Sequence, residues 1–296
     1  MSSQRTKKGK LTERLNSYVS SDKPRRGLAR TISNVAKTAI DEANSLTIEE
    51  ITVELDRLPT KLNGFRIVHL SDIHHSRFTG LEHISNAVAI ANDLKPDIVF
   101  LTGDYVSHDP EYIAPVAETL GNLESEFGTH ACLGNHDHWT DADLVTHLLR
   151  GEGISVLINE GFRFECRDAS FWICGVDDYM AGKTDLPASL RGSFPDEMKL
   201  LLAHNPIIFR QAVRADIDLT LSGHTHGGQI KVRDKERRIL PRRKLSSGLH
   251  RRNDSQIYIT RGIGTVVVPA RYQCPPEISL IELRSVNAER GVLTAE

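Results

Sequence analysis

"FRIVHLSDIH", Phe65 to His74, is the stretch on which the reading of this chain turns. Six largely apolar residues fit a short strand, and the run stops abruptly on Ser71-Asp72-Ile73-His74. Before it, Asn63-Gly64 marks a turn, and Ile51, Val53 and Leu55 alternate as a strand with one exposed face does. After it, Leu81, Ile84, Val88, Ala91 and Leu94 suit a helix that ends at Pro96. "DIVFL", 97–101, is the next buried strand and runs into Thr102-Gly103-Asp104. Strand, helix and strand in this order predict a βαβ unit with parallel strands.

The pattern recurs along the chain. Helices are expected from Glu111 to Leu123 and from Asp141 to Arg150, leading to the apolar runs "THACL" and "ISVLIN". Later runs are "FWICGV", "KLLLA", "IDLTL", "QIYIT" and "EISLIEL", with a hairpin expected around Asp168-Ala169. Short strands with few helices between them predict a more antiparallel second half, joined to an α/β first half within one domain.

Five of these runs end on polar, coordinating residues. Besides Asp72 and His74, and Asp104, "THACL" leads to Gly134-Asn135-His136-Asp137. "KLLLA" leads to His204-Asn205-Pro206, and "IDLTL" to Ser222-Gly223-His224-Thr225-His226. In an open α/β sheet the carboxyl ends of the strands border the functional crevice. Taken singly, a Gly-Asp or a His-Asn-Pro is an ordinary turn. Taken together, Asp72, His74, Asp104, Asn135, His204, His224 and His226 outnumber the needs of one metal and suit two ions that share one carboxylate. Carboxylate oxygen mixed with imidazole nitrogen points to Mn, Fe or Zn.

At this point the chain resembles a known family. Asp72-x-His74, Gly103-Asp104, Gly134-Asn135-His136-Asp137, His204 and Gly223-His224-x-His226 are similar to the five signature blocks of the calcineurin-like metallophosphoesterases, over roughly Phe65 to Leu283. "GHTHGGQI", "TRGIGT" and "CPPEISLIEL" further resemble a bacterial subgroup. That subgroup is related to cell-wall-associated phosphodiesterases and to an alternative UDP-2,3-diacylglucosamine pyrophosphatase of lipid A synthesis. The resemblance implies a four-layer α/β/β/α sandwich of two mixed sheets flanked by helices. It implies that Asp72, His74 and His226 hold one divalent ion, that Asn135, His204 and His224 hold the other, and that Asp104 bridges them. It implies hydrolysis of a phosphodiester or pyrophosphate bond by in-line attack of a metal-bridging hydroxide. His136 then stabilises the transition state or protonates the leaving oxygen, and Asp137 orients His136 or a neighbouring loop.

Neighbouring residues carry blander expectations. His75 and His138 read as loop histidines at the crevice rim, and Trp139 as a weak candidate for substrate contact. His69 reads as a satisfied core residue. Arg271 reads as a phosphate contact, a packing residue or a surface ion pair, and Cys274 as part of a turn.

Composition sets the outer bounds. The chain has 296 residues, 39% hydrophobic and 26% charged, with a net charge of −2, so the whole molecule is no obvious polyanion binder. The charge is unevenly placed. Residues 1–40 carry ten Lys or Arg against Glu13 and Asp22, a net of +8 that leaves −10 for the remainder. A second basic run lies between Lys231 and Arg252. Leu28, Ile32, Val35, Ala36, Ala39 and Ile40 fall near one helical face, which predicts a helix either docked on the body or lying on anionic lipid. The expected organisation is a basic, partly helical extension over 1–45 and a phosphoesterase domain over 46–296. Four scattered cysteines indicate a reducing compartment, and "PRRGLARTISN" lacks the apolar region of an export signal. A cytoplasmic location is expected, with peripheral contact on the inner membrane face as the alternative to a docked helix. A nuclease ranks lower, because the body is acidic and no nucleic-acid module is recognisable. A scaffold without catalysis is disfavoured by the full ligand set, since buried polar ligands without metal are costly.

Overall fold

The computed structural model describes residues 34–231 and 245–287. The basic arm before residue 34, with Leu28 and Ile32, and most of the second basic run lie outside the described residues. A helix covering 34–43, α1, leads to strand β1 (Thr47–Leu55). Its Ala39 and Ala43 are buried, whereas Val35 and Ile40 are exposed. Among the described residues no helix is long and apolar enough to cross a membrane.

Two six-stranded sheets form the centre. The first contains β1, β2 (Phe65–Leu70), β3 (Ile98–Thr102), β4 (Thr129–Cys132), β5 (Ser155–Val156) and β12 (Glu277–Ser285), in the order β1-β12-β2-β3-β4-β5. Only the β12–β2 pair is antiparallel. The second contains β6 (Glu160–Cys166), β7 (Ala169–Gly175), β8 (Lys199–Leu202), β9 (Leu219–Ser222), β10 (Gly248–Arg252) and β11 (Ser255–Ile259), in the order β10-β11-β9-β8-β7-β6. Here the structure corrects the expected antiparallel half. The four inner strands run parallel, and antiparallel pairing is confined to the two edges. The crossover between β8 and β9 is a turn and a six-residue helix, α7 (Phe209–Arg214), too short to leave a helical period in the sequence. The edge hairpin turns at Arg167-Asp168, both at positive φ (51° and 53°), one residue earlier than expected.

Alternation along the strands builds the layers. Ile67, Ile98 and Phe100 of the first sheet face Phe171, Ile173, Leu200, Leu202 and Leu221 of the second. The opposite faces of β2 and β3, with Val68, Leu70, Val99 and Leu101, pack under α2 (Leu81–Asp93), α3 (Ile113–Leu120) and α5 (Ala142–Gly151). Trp172, Cys174, Leu201, Ile257 and Ile259 pack under α6 (Leu186–Ser189) and α7. The result is a helix/sheet/sheet/helix sandwich. One further short helix, α4 (Asn135–Thr140), follows β4 directly.

This stacking places the site. β2, β3 and β4 of one sheet and β8 and β9 of the other end at a common edge. Within each sheet adjacent exits run side by side. Asp72 N–H donates to Gly103 O (3.0 Å), His74 N–H to Asp104 O (2.9 Å), and Gly223 N–H to His204 O (3.0 Å).

Candidate dinuclear metal centre

All seven expected ligands converge at that edge, and all are buried except the partly covered His224. Asp72, His74 and His226 form one group whose coordinating atoms lie within 4.8 Å of one another, and Asp104, His204 and His224 form another. In the first, His74 Nε2 and His226 Nε2 face each other at 3.1 Å, and His226 Nε2 lies 3.3 Å from Asp72 Oδ1. In the second, His224 Nδ1 lies 3.2 Å from His204 Nε2 and 3.0 Å from Asn135 Oδ1. Asp104 stands between the groups, with Oδ2 at 3.1 Å from His204 Nε2 and 3.5 Å from His74 Nε2.

The backbone is bent to make this possible. Asp72, His74, Asp104, His224 and His226 all have φ between 49° and 70°, in the left-handed region that ordinary residues avoid. Their neighbours hold them there. Asp137 accepts from the N–H groups of Asp104, Tyr105 and Gly134, each at 2.8 Å. It therefore ties the β3 and β4 exits together rather than touching the His136 ring. The His136 N–H donates to Asp104 Oδ1 (2.8 Å), and the His224 N–H reaches both Asp72 oxygens (3.0 and 3.1 Å), linking the two sheets. His204 Nδ1 donates to Thr102 O (2.7 Å), which turns Nε2 toward Asp104.

The electrostatics suit a cation. Burial lowers His74 to about 3 and holds His226 well below its ordinary value, with the Arg271 charge adding to the effect there. Burial and the His204 charge lower His224. These rings are neutral and keep a lone pair for a metal. Burial alone would lower His204, but the Asp104 carboxylate and its hydrogen bond outweigh it and raise His204 to about 10. Burial opposes ionisation of Asp104 too, yet His204 and His74 hold it far below the usual carboxylate range. Facing imidazole nitrogens about one shared carboxylate fit two divalent ions of intermediate softness.

His136 lies beside both groups, its ring 4.8 Å from that of His74, with a ring nitrogen near His74 and Asp104. Its Nδ1 donates to Ser107 O (2.7 Å), and the exposed Trp139 packs edge-on against it at 4.8 Å. Ser107 also places its hydroxyl 3.3 Å from His74 Nδ1. The sequence reading missed Ser107, because it lies three residues beyond Asp104 in an ordinary polar loop. Asp178 was missed as well. It is buried, its Oδ1 accepts from Met180 and Ala181 N–H, and its Oδ2 has no partner among the described residues. Its charge helps to raise His204. The signal available was Asp177-Asp178 at the end of "FWICGV", one more apolar run that ends on carboxylates.

Of the neighbouring residues, His75 departs from expectation, and Arg271 from two of its three readings. His75 is buried, with Nδ1 2.9 Å from Tyr112 O, and is no rim residue. His138 is at the rim, paired with Asp177 at 2.6 Å. His69 meets Thr102 Oγ1 at 2.8 Å through Nε2, while its Nδ1 has no partner among the described residues. Arg271 is fully buried and, among the described residues, donates only to the carbonyls of Arg261, Gly262, Gly264 and Cys274, which makes it a packing residue rather than a surface ion pair. Cys274 donates to His226 O (3.2 Å) and supports that ligand's loop.

Residues 65–228 match the model of the calcineurin-like phosphoesterase family, more than half of the chain. The chain belongs to that family. Family membership makes it a metal-dependent phosphoester hydrolase and implies a dinuclear divalent centre. It is 34% identical over 225 residues to phosphodiesterase YaeI of Escherichia coli K12, covering 74% of this chain and 82% of that protein. It is 30% identical over 252 residues to the metallophosphoesterase YkuE of Bacillus subtilis 168, covering 83% and 88%. Among solved structures, the Thermus thermophilus sulfate thiohydrolase SoxB shares the fold with a TM-score of 0.50 and 13% identity, over 80% of this chain and 61% of that one.

Proposed function

We propose that the chain hydrolyses a phosphodiester or pyrophosphate bond at a pair of divalent ions. Asp72, His74 and His226 hold one ion, Asn135, His204 and His224 the other, and Asp104 is shared. The observation that carries this reading is the position of Asp104, whose one oxygen faces a histidine of each group. Bound there, two such ions supply a water of lowered pKa and positive charge to set against the phosphoryl oxygens.

The chain's own residues do the rest. His136 has its Nδ1 committed to Ser107 O, so Nε2 is the atom left for the substrate. Protonated, it donates to the leaving oxygen, and the Trp139 ring restricts its swing. Asp137 holds the Asp104 backbone in place, and Ser107 fixes the tilt of His74. Manganese, iron and zinc are the proposed occupants, since the donors mix imidazole, amide and carboxylate.

The test is hydrolysis of a generic aryl phosphodiester by metal-replete protein, alongside metal analysis. Asp104→Asn is expected to lose both metal and turnover while the fold persists by circular dichroism. Full activity in that variant, or no Mn, Fe or Zn retained by the wild type after supplementation, refutes the assignment. A lipid-linked pyrophosphate is the narrower reading, favoured by the net charge of +8 that the sequence carries over residues 1–40. UMP release from UDP-2,3-diacylglucosamine decides it, and a metal-replete enzyme that releases none excludes that substrate.

A further inference from the structure

The two groups of proposed ligands are unequal in charge. The first offers two carboxylates, Asp72 and the shared Asp104, beside the rings of His74 and His226. The second offers the shared Asp104, the neutral amide of Asn135 and the rings of His204 and His224. Affinity for a divalent ion rises with the charge of its ligands. On these donors alone the second ion is the weaker one.

A further carboxylate stands at the same edge, and the hydrolytic chemistry does not use it. β7 and β8 run parallel with Gly175 opposite Leu202, and Val176 N–H donates to Leu202 O (3.1 Å). Two residues beyond that hydrogen bond, one exit carries Asp178 and the other His204. Asp178 is 1% exposed, and its carboxylate is only half satisfied. Oδ1 accepts from the N–H groups of Met180 (2.7 Å) and Ala181 (2.8 Å), while Oδ2 has no partner among the described residues. A buried carboxylate oxygen left in that state is costly.

The setting is rigid. Asp178 N–H donates to Asp177 Oδ1 (2.9 Å), the oxygen that faces His138 Nε2 at 2.6 Å. His138 belongs to α4, the helix that opens with Asn135. Asp177 Oδ2 accepts from Lys183 N–H (2.8 Å), and Asp177 N–H donates to Asn159 Oδ1 (3.0 Å). The 177–183 loop is thus clamped to the helix that carries a ligand of the second group, with one carboxylate oxygen to spare.

The charge of that carboxylate is felt where the second group gathers. Burial lowers His204, and after Asp104 and Asp72 it is Asp178 that raises it. Burial and the His204 charge lower His224, and Asp72, Asp104 and Asp178 oppose them. Burial pushes the Cys132 thiol up, and Asp178 is the first charge to add to it. These three residues end or follow β4, β8 and β9, so Asp178 lies among the exits that carry the second group. On the side of the first group the added charge has the other sign: Arg271 joins burial in lowering His226.

We propose that Asp178 is a positioning residue for the second ion, supplying beside Asn135, His204 and His224 the negative charge that those ligands lack. The proposal rests on the ligand assignment above. It accounts for the spare oxygen, because an oxygen unbonded by the protein keeps its charge for a cation, and a bound dication is the largest local charge in such a site. Support of the loop does not account for it, since Oδ1 alone makes those contacts.

The test is Asp178→Asn, in which the amide oxygen can keep both loop hydrogen bonds while the charge is lost. Metal-free protein is titrated with manganese by calorimetry, and bound metal is counted after desalting. The wild type is expected to bind two ions. The variant is expected to bind one with unchanged affinity and the other about 10–100-fold more weakly. Without metal it is expected to unfold at the wild-type temperature or above, since an unpaired buried charge has been removed, and to gain less on addition of manganese. Two ions bound by the variant with wild-type affinity overturn the proposal. Equal weakening of both ions, or a metal-free variant that unfolds well below the wild type or does not fold, overturns it too and leaves Asp178 as support for its loop. A wild type that binds fewer than two ions is a different failure: it refutes the ligand assignment, and this proposal with it.

Discussion

Replacing Gly134 by alanine isolates how closely the site is packed. Gly134 has φ −109° and ψ 176°, an extended backbone that alanine adopts without strain. The added Cβ would instead collide with Asp104. It would fall on Oδ1, 2.5 Å from the Asp104 nitrogen and 2.9 Å from Cγ. Asp104 cannot step aside freely, since its N–H is held by Asp137 and its Oδ1 by the His136 N–H. Restoring ordinary contact distances moves the shared carboxylate by about 1 Å, and a misplacement of that size costs about 10²-fold in turnover, or about 2.7 kcal/mol of barrier. The assay is steady-state hydrolysis of an aryl phosphodiester with bound metal counted on the same sample. Gly151→Ala is the control: a Cβ there meets nothing within 4 Å, so activity is unchanged and stability rises by up to about 1 kcal/mol. Wild-type turnover and metal content in Gly134→Ala would refute the argument that Asp104 is fixed in position by close packing.

Other consequences are as direct. His136→Ala is expected to retain metal and to lose about 10²–10⁴-fold in turnover, read by metal analysis and kinetics on one preparation. Removal of metal by a chelator should lower the thermal midpoint by about 5 °C or more, and manganese should restore it. The half-buried His138–Asp177 pair gives a pH signature. The hydrogen bond that His138 donates to Asp177 raises His138, and that contribution is full below about pH 6.5 and lost as pH rises through the raised value. Asp177 is lowered against burial by the same bond, so its contribution is lost only as pH falls through its depressed value. His138→Gln should therefore cost about 1 kcal/mol near pH 6, after allowance for solvent screening, and progressively less in alkaline buffer, measured by denaturant titration.

The convergence of the proposed ligands was legible because each one follows an apolar run, and a strand that stops in a sheet must deliver its next residues to the sheet edge. Asp72, Asp104, Asn135, His204 and His224 all follow that rule. What the sequence did not show is the contacts made after the edge. Ser107 acts on His74 through its hydroxyl and on His136 through its carbonyl, and a carbonyl has no residue-type signature. Arg271 offered three readings because arginine serves all three. Only its burial among four carbonyls, with no carboxylate in hydrogen-bond reach among the described residues, selects packing. The parallel centre of the second sheet was hidden by the brevity of α7.

A common physical cause underlies the bent ligands and the unpaired rings. Five ligand positions in the left-handed region cost roughly 1 kcal/mol each or more, an amount comparable to the net stability of a typical domain. Added to this, His226 Nδ1 and Asp178 Oδ2 are buried without hydrogen-bond partners among the described residues. The local hydrogen bonds at Asp72, Asp104 and His224 offset part of such a sum; the rest falls to packing. It is borne by the apolar layer between the sheets and the two helix-covered faces, which are built from residues distant in sequence from the site. The division of labour explains why the chemistry sits where strands stop: the apolar run ahead of each ligand supplies the stability that the strained residue after it withdraws. Divalent ions bound by the native state alone would return part of it by mass action.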